Sequence, residues 1–226
     1  MEQVVVAVRS AVDTGVMKPG VKYSVYQLAD QLGVSRTPVR DALLRLEEAG
    51  LIRFEARQGF YILFPHPREI ADIFAIRLAL ELPAVRRAAV VCTAETAKML
   101  TTRMQLMHDA IERSDEKAFA AHDTLLHDHI LEAADNARAR KIVATLREST
   151  RLLGASTAER TRTLSDIENE HTPIIDAISR KDPDAAEAAM RSHLVSTGRL
   201  LVAQAALDQQ LAELDVEEVC ARIEIS

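Results

Sequence analysis

Tryptophan is absent from this chain of 226 residues, and aromatic residues make up only 4% of it. So low an aromatic content disfavours a β-sandwich and a binding platform of stacked rings. No apolar run reaches the ~18 residues of a membrane span. Glu2, Arg9 and Asp13 interrupt the apolar N-terminus, which lacks the pattern of a signal peptide. The two cysteines, Cys92 and Cys220, lie far apart, so we expect reduced thiols in a cytoplasmic protein without membrane contact.

Negative charge is in excess, with a formal net charge of −6, which by itself argues against a nucleic-acid partner. The charge is unevenly distributed, however. Residues 1–64 contain eight of the 28 lysines and arginines and seven of the 34 acidic residues, for a net of +1, and the rest of the chain carries −7. This difference predicts two modules with different partners.

Residues 1–64 have the pattern of a winged helix-turn-helix domain. Valines at helical spacing predict a first helix, and the capping residues Ser24 and Gly33 bound a second. A third helix begins after Ser35 and ends at Gly50. Two apolar segments after it predict the strands of a β-hairpin: residues 51–54 and 60–63.

Arg36 and Arg40 project from the N-terminal end of the third helix, one turn apart and beside its apolar face. In helix-turn-helix proteins this end of the helix enters the major groove, where arginine forms two hydrogen bonds with guanine O6 and N7. The hydroxyl and backbone N–H groups of Ser35 and Thr37 suit phosphate oxygens. We therefore predict that these four residues contact double-stranded DNA.

The segment VSRTPVRDALLRLEEAGLI, preceded by KPG and LADQLG and followed by RQGFYI, resembles the DNA-binding domain of GntR-type transcriptional regulators. The resemblance implies that Arg36 and Arg40 contact bases and that Gly59 lets the wing approach the DNA backbone. Two positions depart from the family pattern. Tyr26 stands where the family often has an arginine, and Leu44 stands where it often has a third basic residue.

After a short proline linker at residues 65–67, the pattern is helical throughout. Residues 68–210 predict an all-α antiparallel bundle, so that the fold class is mainly α with an N-terminal winged helix-turn-helix. Six predicted helices span residues 68–91, 94–113, 116–134, 137–153, 159–180 and 183–206. Three of them have candidate N-caps: Thr93, Asp115 and Asp182. Residues 211–226 form an acidic, weakly helical tail to which no place is assigned.

Four ionisable residues interrupt the apolar faces of three predicted helices. Asp123 and His127 lie four residues apart in one face, and His171 and His193 lie in the middle of two others. Buried polar groups require partners, because an uncompensated charge in a core is very costly. An aspartate and three histidines from facing helices suit a divalent transition metal, with zinc as first choice and nickel, iron or manganese as alternatives.

The segments RLALELP, DTLLHDHILEAADN, ENEHTPIIDAI and AAMRSHL resemble the FCD ligand-binding domain of the FadR-type branch of the GntR family. Leu126 replaces the phenylalanine that is usual there. The resemblance implies that Asp123, His127, His171 and His193 bind the metal, and that a small organic acid completes its coordination sphere. Six helices rather than seven point to the shorter VanR-like form.

Simpler explanations stay open for several of these residues. Arg36 has a possible surface ion pair with Asp30 or Asp41. Arg77 lies four residues before Glu81 within an apolar face, and it is either half of an i,i+4 ion pair or the residue that receives the carboxylate of an effector. Any one of the three histidines, taken alone, is also explained as a hydrogen-bonded core residue.

These features together predict a homodimeric transcriptional regulator that binds an inverted repeat in double-stranded DNA. We expect a repressor rather than an activator. A small carboxylate effector at the metal site would control DNA binding. One alternative is a sensor of the metal itself. Another is a metal-dependent enzyme, since a metal with open positions activates water. No general base, nucleophile elbow or phosphate-binding loop accompanies the four ligands, so we expect no enzymatic activity.

Overall fold

The computed structural model describes residues 2–48, 52–55, 59–63, 66–152 and 161–224. Two compact units are formed, Met1–His66 with Glu148–Ala155 and Pro67–Arg147 with Ser156–Ser226. The predicted helix stop at Gly50 and the linker residue Pro65 lie outside the described residues. Within the described ranges, no helix combines the length and apolarity needed to cross a membrane.

The first unit contains three helices and a small sheet. Its elements are α1 (Glu2–Asp13), β1 (Lys22–Tyr23), α2 (Val25–Leu32), α3 (Arg36–Glu48), β2 (Ile52–Glu55) and β3 (Gly59–Ile62). The winged helix-turn-helix prediction is therefore confirmed, with one strand more than the sequence indicated. The additional strand β1 pairs with β3, and the strand order is β1-β3-β2.

A single apolar core holds this unit together. The predicted valine face of α1 is buried at Val4 and Val8, and α3 contributes Val39 and Leu43, which are fully buried. Phe60 of β3 belongs to the same core, so the wing is anchored to the helices by apolar contact. One face of α3 is thereby fixed inward, and the opposite face is left to solvent.

Local capping sets the ends of α2 as predicted. The hydroxyl of Ser24 accepts a hydrogen bond from the backbone N–H of Gln27, and Gly33 ends the helix with a left-handed φ of 64°. The turn that follows leads directly into α3. The position of Arg36 and Arg40 is therefore determined by caps on one side and by the apolar core on the other.

The second unit is helical. Its elements are α4 (Pro67–Val91), α5 (Ala94–Glu112), α6 (Glu116–Ala133), α7 (Ala137–Leu152, continuing into the first unit), α8 (Leu164–Ser179), α9 (Pro183–Asp208) and α10 (Val216–Glu224). The prediction of six helices was wrong, because the described residues from 67 to 224 form seven. The seventh helix, α10, lies in the acidic tail, and it packs on α4 and α9 through buried Val219, Cys220 and Ile223. Seven helices in the described residues remove the basis for the VanR-like form, which was expected from six.

The helix starts follow the capping residues. The predicted N-caps Thr93, Asp115 and Asp182 each accept a hydrogen bond from a first-turn backbone N–H, as expected. The fifth predicted bundle helix starts later than residue 159, because Thr163 and Asp166 form a reciprocal capping box that places its first residue at Leu164.

Helix α4 occupies the centre of this unit, where it packs against α6, α8, α9 and α10. Its predicted apolar face is buried at Ile70, Ile73 and Phe74. Arg77 and Glu81 lie on the same face, with 4% and 2% of their surfaces exposed. The central helix therefore carries two charged groups into the core, where they need partners.

The backbone conformation of Gly59 predicts that the wing does not tolerate a larger residue at this position. Its φ is 129°, and a Cβ atom there would overlap the carbonyl oxygen of Tyr23. Gly33 also has a positive φ, but a Cβ there would meet open space. We expect Gly59→Ala to destabilise the first unit by about 2–4 kcal/mol from strain and overlap. The control Gly33→Ala should cost about 1 kcal/mol.

The measurement is denaturant unfolding of the full chain followed by tyrosine fluorescence. All three tyrosines lie within residues 1–66, so the signal reports on the first unit. Equal losses in the two variants would show that the overlap with Tyr23 is not what requires glycine at position 59.

Candidate nucleic-acid interface and metal centre

The residues predicted to contact DNA form one exposed group at the start of α3. Ser35, Arg36, Thr37 and Arg40 are all exposed there, on the face opposite the core residues of that helix. Gly59 belongs instead to the wing, where it begins β3. A helix end with two exposed guanidinium groups and two hydroxyls is suited to the edges of bases and to phosphate oxygens.

Both arginines lie over aromatic rings. The guanidinium carbon of Arg36 is 4.4 Å from the ring centroid of Tyr26, and that of Arg40 is 5.9 Å from the centroid of Phe54. The sequence had suggested Asp30 or Asp41 as a simpler partner for Arg36. The structure places the guanidinium against a ring instead, so its N–H groups are not committed to either carboxylate.

Three of the four predicted metal ligands converge in the core of the second unit. His127 of α6, His171 of α8 and His193 of α9 are buried, and one ring nitrogen from each lies within 4.8 Å of the others. The Nε2 atoms of His127 and His171 are 3.2 Å apart. Apolar stripes on three separate helices therefore bring these imidazoles to one point, as the sequence predicted.

The outer nitrogen of each imidazole is held by a hydrogen-bond acceptor. Nδ1 of His127 is 2.8 Å from Oε2 of Glu81, and Nδ1 of His193 is 2.9 Å from Oε2 of Glu170. Nδ1 of His171 is 2.7 Å from the carbonyl oxygen of Ile167. Because carboxylates and carbonyls only accept, each Nδ1 carries the proton, and Nε2 is left as the inward-facing nitrogen.

Burial keeps two of these imidazoles neutral. It lowers the pKa of His127 to about 3, with the charge of Arg147 adding to the effect. It lowers the pKa of His193 to about 4, with His171 adding to the effect. Both rings are therefore uncharged at pH 7 and present an Nε2 lone pair, which is the form that binds metals.

Asp123 adjoins the three histidines. Its Oδ1 lies 3.1 Å from Nε2 of His171, and its other oxygen is paired with Arg147. Nε2 of His171 thus faces both a carboxylate oxygen and the lone pair of His127. A carboxylate oxygen and two imidazole nitrogens thus meet at one point, which is a donor set suited to a divalent metal ion.

Each of the three carboxylates that lie next to the clustered histidines also forms an ion pair with an arginine. The pairs are Arg77–Glu81 at 2.7 Å, Arg147–Asp123 at 2.5 Å and Arg162–Glu170 at 2.5 Å. Burial alone would raise the pKa of these carboxyls, but the arginines and histidines outweigh it. The pKa of Glu81 and of Asp123 is well below the ordinary value, and that of Glu170 is lowered to about 2. The three pairs are therefore ionised and cancel in charge.

The ion pair of Arg77 and Glu81, one of the two explanations left open by the sequence, is confirmed. This ion pair does not satisfy every N–H group of Arg77, however. Nη2 of Arg77 and Nε of Arg147 are buried and form no hydrogen bond within the described part of the chain. Arg77 also stacks on Phe74, with 4.7 Å between the guanidinium carbon and the ring centroid. Two buried N–H donors next to the histidines are available to an acceptor that enters the site.

Sequence reasoning missed Arg147, Arg162 and Glu170. Glu170 immediately precedes His171, so helical periodicity turns it away from the apolar stripe, yet it reaches His193 on the next helix. Arg147 and Arg162 lie 20 residues after His127 and nine residues before His171, outside the apolar faces that carry the histidines. One signal in the sequence could have indicated them. It is an acidic residue next to a ligand position, together with an arginine that can form an ion pair with it.

Known families match both parts of the chain. The model described as bacterial regulatory proteins, gntR family, matches residues 1–62, and the FCD domain model matches residues 72–196. An uncharacterized HTH-type transcriptional regulator of Agrobacterium vitis is 36% identical over 131 residues, which are 57% of this chain and 77% of that protein. The gluconate operon transcriptional repressor of Bacillus subtilis (strain 168) is 30% identical over 179 residues, 77% of this chain and 73% of its own.

A solved structure shares the fold. The E. coli protein McbR/YncC matches with a TM-score of 0.71 at 24% identity, over 89% of this chain and 96% of its own. The matching families and the relatives are transcriptional regulators rather than enzymes, so the enzyme alternative is set aside. The chain belongs to the GntR family of DNA-binding transcriptional regulators, with an N-terminal winged helix-turn-helix domain and a C-terminal FCD domain.

Proposed function

We propose that this chain is a homodimeric repressor that binds an inverted repeat in double-stranded DNA and changes its affinity when a small carboxylate binds at a metal ion in the FCD domain. The observation that carries the proposal is the convergence of one ring nitrogen from each of three buried imidazoles, together with buried N–H groups of Arg77 and Arg147 that form no hydrogen bond within the described residues. The relative from B. subtilis is named as an operon repressor, which supports repression rather than activation.

The DNA contacts are assigned to the exposed group on α3. Arg36 and Arg40 would bind the edges of bases, while Ser35 and Thr37 would bind phosphates. Gly59 would let the wing come close to the DNA backbone. A homodimer presents two such groups related by a two-fold axis, so its binding site is an inverted repeat.

The metal ligands are assigned to His127, His171 and His193, with Asp123 as the fourth. Three neutral imidazoles and one carboxylate suit zinc first, and nickel, iron or manganese next. The acceptors on the three Nδ1 atoms would fix the orientation of the rings toward the metal. When bound, the metal would supply a Lewis-acidic cation for an anionic ligand.

Charge balance favours an anion as the effector. The three carboxylates of the site are matched by three arginines, and two of the imidazoles are neutral by burial. A divalent metal bound to neutral imidazoles would therefore leave two unbalanced positive charges in a poorly solvated space. A carboxylate would reduce this charge, and the free N–H groups of Arg77 and Arg147 would hold its oxygens.

The first prediction from this proposal tests the DNA contacts. Arg36→Ala and Arg40→Ala should each weaken binding to a specific duplex by about 1–3 kcal/mol and relax its sequence preference. Arg45→Ala is the matched control, because Arg45 is exposed in the last turn of the same helix. Anisotropy titrations at one salt concentration would use a duplex selected by the wild-type protein from a random library. An unchanged ratio of specific to random binding in both variants would exclude a base-reading role.

The second prediction tests the metal site. The purified protein should bind about one divalent ion per chain, and His171→Ala or His193→Ala should abolish this binding. Glu170→Gln keeps all four ligands but loses a charged acceptor, and it should weaken metal affinity about 10- to 100-fold. His108→Ala is the control, because 52% of its side chain is exposed. Wild-type protein that binds no zinc or nickel in elemental analysis after reconstitution would contradict the assignment.

The third prediction tests the coupling between effector and DNA. A panel of acetate, lactate, gluconate and citrate at constant zinc should contain an acid that changes DNA affinity about 5- to 150-fold. The specific duplex must then change the affinity for that acid by the same factor, since coupling is reciprocal. Calorimetric titrations with and without DNA measure both quantities. Equal affinity for the acid in the two titrations would refute the coupling, and a response to zinc alone would favour a metal sensor.

A further inference from the structure

Tyr26 has an unusual environment for an aromatic residue in this chain. It lies in the first turn of α2, just after the N-cap Ser24, and 65% of its surface is exposed. One face of its ring is covered by the guanidinium of Arg36, 4.4 Å from the centroid. Burial therefore does not explain an aromatic side chain at this position, and its ring lies against a residue proposed to bind a base.

Stacking has a specific effect on an arginine. The guanidinium is planar, and its N–H donors point outward in that plane, so a ring against its face leaves those donors free. The ring meanwhile restricts a long and flexible side chain, which would otherwise lose conformational entropy on binding DNA. An exposed stack of this kind is favourable enough to bias the side chain without locking it.

We propose that Tyr26 is a positioning residue for DNA recognition, which orders Arg36 so that its free N–H edge meets a base. The inference rests on the base-reading role proposed for Arg36. The ring of Tyr26 should order Arg36 more strongly than the ring of Phe54 orders Arg40. The guanidinium carbon of Arg40 lies 5.9 Å from the Phe54 centroid, near the outer limit of such contacts at ~6 Å. Tyr26 should therefore affect the base that Arg36 contacts and no other.

The experiment uses the full chain and two duplexes, one selected by the wild-type protein from a random library and one of unrelated sequence. Tyr26→Ala should lower the ratio of specific to unrelated binding about two- to fivefold. The loss should be confined to the base pair at which Arg36→Ala relaxes preference. Tyr26→Phe keeps the ring and should keep the wild-type ratio. Because the residue is exposed, both variants should unfold at the wild-type denaturant concentration.

A double-mutant cycle decides between positioning and a direct contact. The effect of Tyr26→Ala should vanish in an Arg36→Ala background and persist in an Arg40→Ala background. Additive effects with Arg36→Ala would overturn the inference. So would an equal loss on both duplexes in Tyr26→Phe, which would identify the hydroxyl as a phosphate contact. If Arg36→Ala alone changes nothing, the proposed base contact fails first, and the cycle separates that result from a failure of Tyr26.

Discussion

Three imidazole nitrogens share one buried space in the second unit, and their need for partners determines how the surrounding charges are arranged. Each ring arrives on a different helix, with Nδ1 already bonded to an acceptor. The remaining Nε2 atoms of His127 and His171 are 3.2 Å apart, a separation at which two lone pairs repel. A metal ion bound there would be a common partner for one nitrogen of each ring. Because the rings belong to α6, α8 and α9, such an ion would link these three helices.

The arginine–carboxylate pairs around the histidines follow from the same constraint. A carboxylate that holds an imidazole in a core needs a counter-charge, and each of the three has one. Removing a single partner from the buried pair of Arg77 and Glu81 would cost about 3–5 kcal/mol, because the other charge would be left uncompensated. Glu81 accepts hydrogen bonds from two residues, since Oε1 binds Arg77 and Oε2 binds His127. Helix α4 is therefore tied to the histidines through one side chain, which makes this helix sensitive to the state of the site.

Periodicity in the sequence was sufficient to predict what lies on the apolar stripes. It identified the winged helix-turn-helix, the helical bundle and the three histidines that converge, because burial acts directly on stripe residues. It did not identify Glu170 or Arg147, since their roles depend on which helices become neighbours. Strand β1 was missed because two residues carry no alternation, and α10 was missed because its apolar residues are few among acidic ones. The wing glycine is required by the carbonyl of Tyr23, a contact between residues distant in sequence.

The charge distribution of the chain bears on how much an ordered arginine side chain would contribute to the proposed DNA recognition. The chain carries a net charge of −6, with −7 outside residues 1–64, so most of the protein repels DNA. Non-specific affinity depends on the number of phosphates that cations neutralise, and the first module has a net charge of only +1. A weak electrostatic background leaves a larger share of the binding free energy to base contacts. Under that condition, an aromatic ring that orders one base-contacting arginine has a proportionally greater effect on specificity than it would in a strongly basic domain.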